Sequence, residues 1–486
     1  MFIVRRIPIN GNGMKIAYLH RNCQQFNIEN LACFSQIELQ SENKSAFACL
    51  QIIEDDMLIK PDEIGLNIEA FTELGLKEYQ KINICLAMPT TGLNILHKKI
   101  SGNQLDSAEY EKILNDIGSQ RFSSMQTTAF VMACQNMMTN YELAAIAGLL
   151  INHNVIKSKD NEKVVSCYSF GKTGYSKAEI ISCLITAAAG YKVLKPQTSE
   201  DCLVKISDIN LKFSELIDMS EKNKIVFFNS DILAENKTGR ILTRTYQNIG
   251  IKQNNFMIAL VLATAVSYGI THLLIDIPIG ETAEIRTYNE AIRMRGIIEH
   301  LADLMGLTVE VCLTDGNEPL GNNFGSVLET NEIISVLQNH ANTAKDVREH
   351  SLFLAGRMLD LLEGYGKKSF ALAAEILDSG KSFSVFESLQ HIKIKTTPTK
   401  NSLFHRDVLA AFDGIINKIN NETIKQLVIL ADRTNSLGGG LVLNKKTGDT
   451  VKSGDILYTV YSVDSTNFDA INTLVERDNG YDIAVN

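Results

Sequence analysis

Val164-Val165-Ser166-Cys167-Tyr168-Ser169-Phe170-Gly171-Lys172-Thr173-Gly174-Tyr175-Ser176-Lys177 begins as an apolar run and continues into a stretch rich in Gly, Ser and Lys. The pattern predicts a short strand, a loop, and a helix that runs to Ala187-Ala188-Ala189-Gly190. The first turn of a helix has free backbone N–H groups and the positive end of the helix dipole, which together suit an anion such as phosphate. The stretch therefore predicts a phosphate site at a strand–loop–helix junction.

From this junction onward, short apolar runs alternate with helical patterns. The runs 224–228, 273–277 and 308–313 are typical of buried parallel strands, and 287–305 is typical of a helix between two of them. Alternation of this kind predicts an α/β fold.

The rest of the chain predicts additional domains. The runs 2–7 and 14–18 flank Asn10-Gly11-Asn12-Gly13, which predicts a β-hairpin. We expect a multidomain α/β protein with an N-terminal β-barrel-like domain, a helical domain, a large α/β domain with a mixed or parallel sheet, and a small C-terminal β-rich lobe. We expect the N-terminal domain at 1–88 and the helical domain at 93–160 with about 240–268. The α/β domain is expected at 164–238 with 271–384, and the C-terminal lobe at 385–486.

Composition excludes several classes of function. The chain has 486 residues and a net charge of −9 without a long Lys/Arg run, so we expect neither a nucleic-acid nor a membrane partner. Its nine dispersed Cys form no CxxC pair, and its N-terminus lacks a secretory signal, which predicts reduced thiols and a cytoplasmic location. No HxH or HExxH pair occurs, so we expect no dedicated metal site.

Gly171-Lys172-Thr173 also matches the end of a Walker-type nucleotide loop. That motif needs a glycine at position 166, where this chain has serine. Asp276, at the end of an apolar run, would then be the magnesium-binding residue. A P-loop-like NTPase is thus an alternative that depends on three residues.

Several motifs, in the same order along the chain, resemble the thymidine/pyrimidine nucleoside phosphorylase family, and in particular its AMP-phosphorylase-type branch. The segment 164–190 is similar to the family's phosphate loop, a pattern close to DKHSIGGxPGNK before a helix ending in AAAG. Residues 271–280 resemble THxxIDIPxG, 314–325 resemble TDGxxPxGxxxG, and 348–356 resemble LREKSLxLAG. The resemblance covers nearly the whole chain, and the N-terminal β-rich part resembles the extra domain of that branch.

The resemblance implies phosphorolysis, in which inorganic phosphate attacks C1′ of a nucleoside or nucleotide and the base leaves. It also implies a homodimer and no cofactor other than phosphate as co-substrate. The site residues that we assign on this basis are Tyr168 and Lys172 as catalytic, Ser169, Gly171 and Lys177 as phosphate-binding, and Arg244 and Thr264 as base-binding.

The chain differs from the family pattern at several of these positions. The family's Lys-His is Cys167-Tyr168 here, its second loop glycine is Lys172, and its base-side lysine is Thr264. Loss of one preorganised donor typically costs about 10²–10³ in rate. We therefore expect either that Lys172, Lys252 or Tyr168 has taken over, with Lys172 placed to supply the missing cation, or that the chain is a catalytically impaired or re-purposed paralogue that binds a nucleotide or a protein partner.

Overall fold

The computed structural model describes residues 1–23, 25, 36–42, 44–87, 90–136, 138–151, 162–171, 173–197, 213–229, 237–250, 255–389, 404–432 and 438–485. The chain divides into two compact units. The first contains Met1–Leu150 and Ala234–Leu260, and the second contains Ile151–Leu233 and Val261–Asn486.

The first unit begins with a closed barrel of strand order β1-β5-β2-β4-β3-β6. The barrel strands are β1 (Phe2–Arg6), β2 (Ile16–His20), β3 (Gln36–Gln40), β4 (Ser45–Ile53), β5 (Glu63–Leu66) and β6 (Lys81–Leu86). Burial alternates with a period of two in β3, where Ile37 and Leu39 belong to the apolar core, whereas β5 is buried at every position. The prediction of an N-terminal barrel is confirmed.

The hairpin expected around Asn10–Gly13 is not formed. β5 lies between β1 and β2, pairing parallel with β1 and antiparallel with β2. The turn is closed by helix α1 (Ile68–Leu74), because Glu69 accepts hydrogen bonds from the N–H groups of Gly11 and Gly13. The turn signal was correct, but a local pattern cannot show which strand fills the gap beside β1.

The helical part of the first unit contains α2 (Thr91–Ile100), α3 (Ser107–Gly118), α4 (Ser124–Asn136), α5 (Asn140–Leu150) and α8 (Lys237–Asn248). Its interior holds the fully buried ion pair of Lys99 and Glu142, whose Nζ and Oε1 are 2.6 Å apart. Burial alone would raise the pKa of Glu142. Lys99 and further donors, including the Tyr110 hydroxyl, lower it to about 2, so this carboxylate stays ionised.

The second unit is built on a parallel sheet of order β11-β10-β7-β8-β9. Its strands are β7 (Val164–Ser169), β8 (Lys192–Gln197), β9 (Ile225–Asn229), β10 (His272–Ile279) and β11 (Thr308–Asp315). Helix α6 (Tyr175–Ala188) follows β7 and is buried on nearly all sides, with Ile181 and Leu184 in the core. The expected α/β architecture is confirmed.

Other helices complete this unit, one of which (α9) begins in the first unit and ends in the second, and two small antiparallel sheets follow the parallel one. The sheets have orders β12-β15-β17-β13 and β16-β14-β18. The remaining elements are α7 (Phe213–Lys222), α9 (Asn255–Ser267), α10 (Tyr288–Leu304), β12 (Asn323–Phe324), α11 (Ser326–Leu337), α12 (Lys345–Glu363), α13 (Lys367–Asp378), α14 (Lys381–Glu387), β13 (Phe404–Leu409), β14 (Gly414–Ile419), α15 (Asn421–Ala431), β15 (Gly440–Leu443), β16 (Thr450–Val451), β17 (Ile456–Ser462), α16 (Ser465–Arg477) and β18 (Tyr481–Ala484). Within the described ranges, no helix has the length and apolar character needed to cross a bilayer.

Candidate anion site at the start of α6

The loop between β7 and α6 has a backbone shape that depends on glycine. Gly174 is the N-cap of α6 with φ +89°, and a Cβ there would lie 2.0 Å from the Leu320 carbonyl oxygen. The Leu320 N–H in turn donates to the Thr173 carbonyl at 3.0 Å. The loop is therefore tied to the segment that follows β11. Lys172, which we assigned as catalytic, lies outside the described residues.

Ser169, at the end of β7, is buried and holds the loop together. Its hydroxyl donates to Asp276 Oδ2 at 2.9 Å and accepts from the Gly171 N–H at 3.0 Å. The Ser169 N–H donates to Glu179, and the Phe170 N–H donates to the Asp276 carbonyl. The backbone donors of residues 169–171 are thus used inside the protein. Ser169 and Gly171 lie together as expected, and their phosphate contact stays a prediction.

The start of α6 still offers a donor. Thr173 is 2% exposed, and its Oγ1 has no hydrogen-bond partner in the described part of the chain. A buried hydroxyl without a partner is costly, and an oxyanion at the helix start would satisfy it. Tyr175 covers the other side, because a Cβ on Gly171 would lie 2.2 Å from its ring. The Tyr175 hydroxyl donates to the Asp315 carbonyl at 2.7 Å.

The two lysines near the loop are held by carboxylates. Lys177 is fully buried, forms an ion pair with Glu332, and donates to the Asn323 carbonyl at 2.9 Å. Lys195 pairs with Glu179 and donates to the Cys167 carbonyl at 2.8 Å. Burial opposes the charge on Lys195, but the Glu179 carboxylate outweighs it and raises the pKa of Lys195. A phosphate contact by Lys177 would require its ammonium to leave Glu332, and that role stays a prediction.

Tyr168 and Cys167 occupy the positions of the family's Lys-His pair. Tyr168 is half-buried, packs edge-to-face on Phe170 at 5.0 Å, and has the Lys195 ammonium 5.8 Å from its ring centroid. Cys167 is buried in β7. Burial and the Glu179 carboxylate raise the pKa of its thiol well above the ordinary value. A thiol that keeps its proton is a poor nucleophile, so Cys167 is a packing residue. The catalytic role of Tyr168 stays a prediction.

The predicted base-binding residues belong to different units. Arg244 lies on α8 in the first unit, where its guanidinium donates to the Asn12 backbone carbonyl and, at 2.5 Å, to Asn12 Oδ1. Thr264 is half-buried on α9 and falls in the second unit. Their base-binding roles stay predictions.

Sequence reasoning considered Asp276 only as a magnesium-binding residue, and it missed that this residue, with Thr314 and His350, supports the loop from behind. Asp276 is fully buried and also accepts from Thr314 Oγ1 at 2.6 Å and contacts His350 Nε2 at 2.9 Å. All three residues lie inside family-like motifs, at 271–280, 314–325 and 348–356. The three motif matches were the available signal, but a motif match does not show which of its residues contact one another in the fold. In the described ranges, no three His, Cys, Asp or Glu side chains group as metal ligands.

The Walker-type interpretation does not fit this geometry. Ser166 lies inside β7 and is 1% exposed, so residues 166–169 are strand instead of the phosphate-wrapping loop that the motif requires. The structure therefore corrects the sequence interpretation by rejecting the P-loop-like NTPase alternative.

Comparisons with known proteins agree with the architecture. Residues 93–153 match a model described as the glycosyl transferase family helical bundle domain, and residues 430–482 match the pyrimidine nucleoside phosphorylase C-terminal domain. A protein from Methylococcus capsulatus named "Putative thymidine phosphorylase" is 29% identical, with 99% of this chain and 95% of that protein covered. One of the same name from Rhodopseudomonas palustris is also 29% identical, with the same coverage.

Among solved structures, anthranilate phosphoribosyltransferase from Saccharomyces cerevisiae bound to PRPP and Mg aligns with a TM-score of 0.49 at 13% identity, covering 62% of this chain and 97% of its own. The Thermus thermophilus enzyme of that name aligns with a TM-score of 0.47 at 13% identity, covering 60% of this chain and 97% of its own. The barrel, helical part, parallel sheet and C-terminal lobe define a multidomain α/β protein, and its helical part matches the glycosyl transferase family helical bundle domain. Its C-terminal residues match the pyrimidine nucleoside phosphorylase C-terminal domain, and over its full length the chain is similar to proteins named "Putative thymidine phosphorylase".

Proposed function

We propose that the protein is a nucleoside or nucleotide phosphorylase, a pentosyltransferase of the thymidine phosphorylase type. The observation that carries this proposal is similarity along 99% of the chain to proteins named thymidine phosphorylase. The start of α6, with the buried Thr173 hydroxyl and Ser169 beside it, supports an oxyanion at the loop.

In the proposed reaction, phosphate oxygen forms a bond to C1′ while the bond from C1′ to the base breaks and its electron pair leaves with the base. The site must hold phosphate on one face of the sugar and stabilise negative charge that develops on the base. We assign phosphate binding to Ser169, Gly171 and Lys177, and base binding to Arg244 and Thr264. Tyr168 and Lys172 are proposed to act in catalysis, and phosphate is the co-substrate without a resident cofactor.

The test is a panel of nucleosides and nucleoside monophosphates incubated with inorganic phosphate, followed by chromatography for free base and pentose 1-phosphate. We expect base release that requires phosphate, with a matching yield of the sugar phosphate. Samples without phosphate are the control. No phosphate-dependent release from any member of the panel would contradict the proposal.

A second candidate function is a re-purposed paralogue that binds a nucleotide without turnover. It is favoured by the loop, in which the N–H groups of residues 169–171 have protein acceptors and Lys177 and Lys195 are ion-paired. Calorimetry with the same panel distinguishes the two, because this candidate requires nucleotide binding in the absence of product formation.

We also propose a cytoplasmic homodimer. The dispersed cysteines support a reducing compartment, since those in the described part of the chain are free thiols. Light scattering should give about twice the chain mass of 53.9 kDa. A mass that stays at one chain over a wide concentration range would contradict the dimer.

A further inference from the structure

Asp276 links the anion loop to a helix that is distant in sequence. Its carboxylate is fully buried, with Ser169 Oγ and His350 Nε2 each 2.9 Å from Oδ2, and Thr314 Oγ1 2.6 Å from Oδ1. A carboxylate oxygen accepts, so Nε2 carries the proton in this contact. Three donors therefore hold one buried carboxyl group directly behind the loop.

His350 is the ring donor to this carboxylate, and the contact becomes an ion pair only when the imidazole is protonated. Within the described ranges, the ion-pair partner of Asp276 is His350. The nearby Lys177 pairs with Glu332, and Lys195 pairs with Glu179. A buried carboxylate facing an incoming oxyanion repels it unless donors or a cation compensate the charge. His350 is placed to supply that compensation.

His350 also contacts the other end of the loop. Its ring packs edge-to-face on Tyr175, with 5.4 Å between ring centroids and an interplanar angle of 89°. Tyr175 is the first residue of α6 and lies against Gly171. One side chain on α12 thus contacts the first turn of α6 and, through Asp276, the Ser169 hydroxyl that ends β7.

We propose that His350 is a positioning residue of the anion site: it fixes the Asp276 carboxylate and, through it, the Ser169 hydroxyl, and its ring holds Tyr175 at the start of α6. This inference rests on the proposed function, because it takes inorganic phosphate as the anion. It predicts that loss of the Nε2 donor weakens phosphate binding and leaves nucleoside binding nearly unchanged.

The experiment compares H350L, which removes the donor, with H350Q, whose amide nitrogen reaches about as far as Nε2. For H350L we expect the KM for phosphate to rise about ten- to hundred-fold, the range of one lost charge-assisted hydrogen bond, with the nucleoside KM within about two-fold. H350Q should remain within about three-fold of the wild type. H300L, at an exposed histidine of α10, is the matched control.

An unchanged phosphate KM in H350L would overturn the inference. Equal losses in H350L and H350Q, or equal rises in both KM values, would overturn it too, since each indicates a general disturbance of the fold. If H350L does not accumulate as folded protein, H350N replaces it, because the shorter amide stops short of Asp276.

A readout without turnover separates this inference from the proposed function. The rise in melting temperature on adding inorganic phosphate reports affinity directly. If the wild-type protein binds phosphate but releases no base, the proposed function fails. The positioning role is still supported if the phosphate-induced rise in melting temperature decreases from wild type to H350Q to H350L. A wild-type protein that binds no phosphate would overturn the inference.

Discussion

Buried carboxylates in the second unit differ in how their charge is compensated. Glu332 has the Lys177 ammonium, and Asp276 has three donors. Glu329 is fully buried on α11, and its Oε2 has no partner in the described ranges. Burial raises the pKa of Glu329 to about 7, with Lys177 opposing the shift and Glu332 and Asp432 adding to it. The protonation state of Glu329 therefore changes near neutral pH.

The first prediction concerns E329Q. A carboxyl group whose pKa is raised on folding stabilises the fold at pH values below its unfolded pKa, 4.5, and this contribution is lost as pH rises through about 7. The free energy of unfolding of the wild type should therefore fall by up to about 3 kcal/mol between pH 5 and pH 8. E329Q should not show this decrease, because its amide does not titrate. Melting temperatures at the two pH values measure the difference. E349Q, at an exposed position of α12, should behave as wild type, and a pH response of E329Q equal to that of wild type would refute the pKa assignment.

At this scale the sequence placed part of the candidate site. Ser169 and Gly171 follow from the loop pattern, because a strand end and a helix start lie within a few residues of each other. Their support by His350 joins residues more than 170 positions apart, and no local pattern reports such a contact. Lys177 and Glu332 are 155 positions apart, so sequence reasoning could not show that this lysine of the loop motif pairs with a carboxylate in the core.

At the scale of elements, the junction of β7 and α6 depends on a turn that only glycine can form. Gly174 has φ +89°, where a side chain is strained, and the Leu320 carbonyl fills the space that a Cβ would need. The strand and helix were predictable from apolar periodicity. The close approach of Leu320 was not, because it comes from a segment more than 140 residues later.

The second prediction follows from this turn. G174A should destabilise the protein by more than about 1 kcal/mol, since it adds backbone strain to a collision with Leu320. G296A is the control of opposite sign: this glycine is exposed inside α10 with nothing within 4 Å of a Cβ, so alanine should stabilise by up to about 1 kcal/mol. Chemical denaturation of both variants measures the free energy of unfolding. If G174A has the same value as the wild type, the turn relaxes to accept the side chain and the prediction is wrong.

At the scale of the whole molecule, each unit contains one part of the predicted chemistry. The first unit carries Arg244, whose guanidinium holds the Asn12 turn of the barrel. The same turn is bound by Glu69 and by Gln120, whose amide donates to the Gly13 carbonyl at 2.6 Å. The barrel is thus connected to the helical part through a residue assigned to base binding.

The third prediction tests this connection by hydrogen–deuterium exchange. R244M removes both contacts with Asn12, so the amides of residues 10–14 should exchange faster, while those of the barrel strands remain protected. R240M, one helical turn earlier on α8 at an exposed position, is the matched control. Unchanged exchange in R244M would mean that Glu69 and Gln120 hold the turn without the arginine.

The sequence by itself determined the class of fold, the order of the parts and the place of the strand–loop–helix junction that we predict to bind an anion. These follow from apolar periodicity, glycine positions and ordered motifs, all of which are local properties of the chain. Only the tertiary structure decided the order of strands in the barrel, the pairing of Lys177 with Glu332, and the three donors around Asp276. The physical reason is that burial and charge compensation depend on which distant segments meet, and neither is encoded in the spacing of residues along the chain.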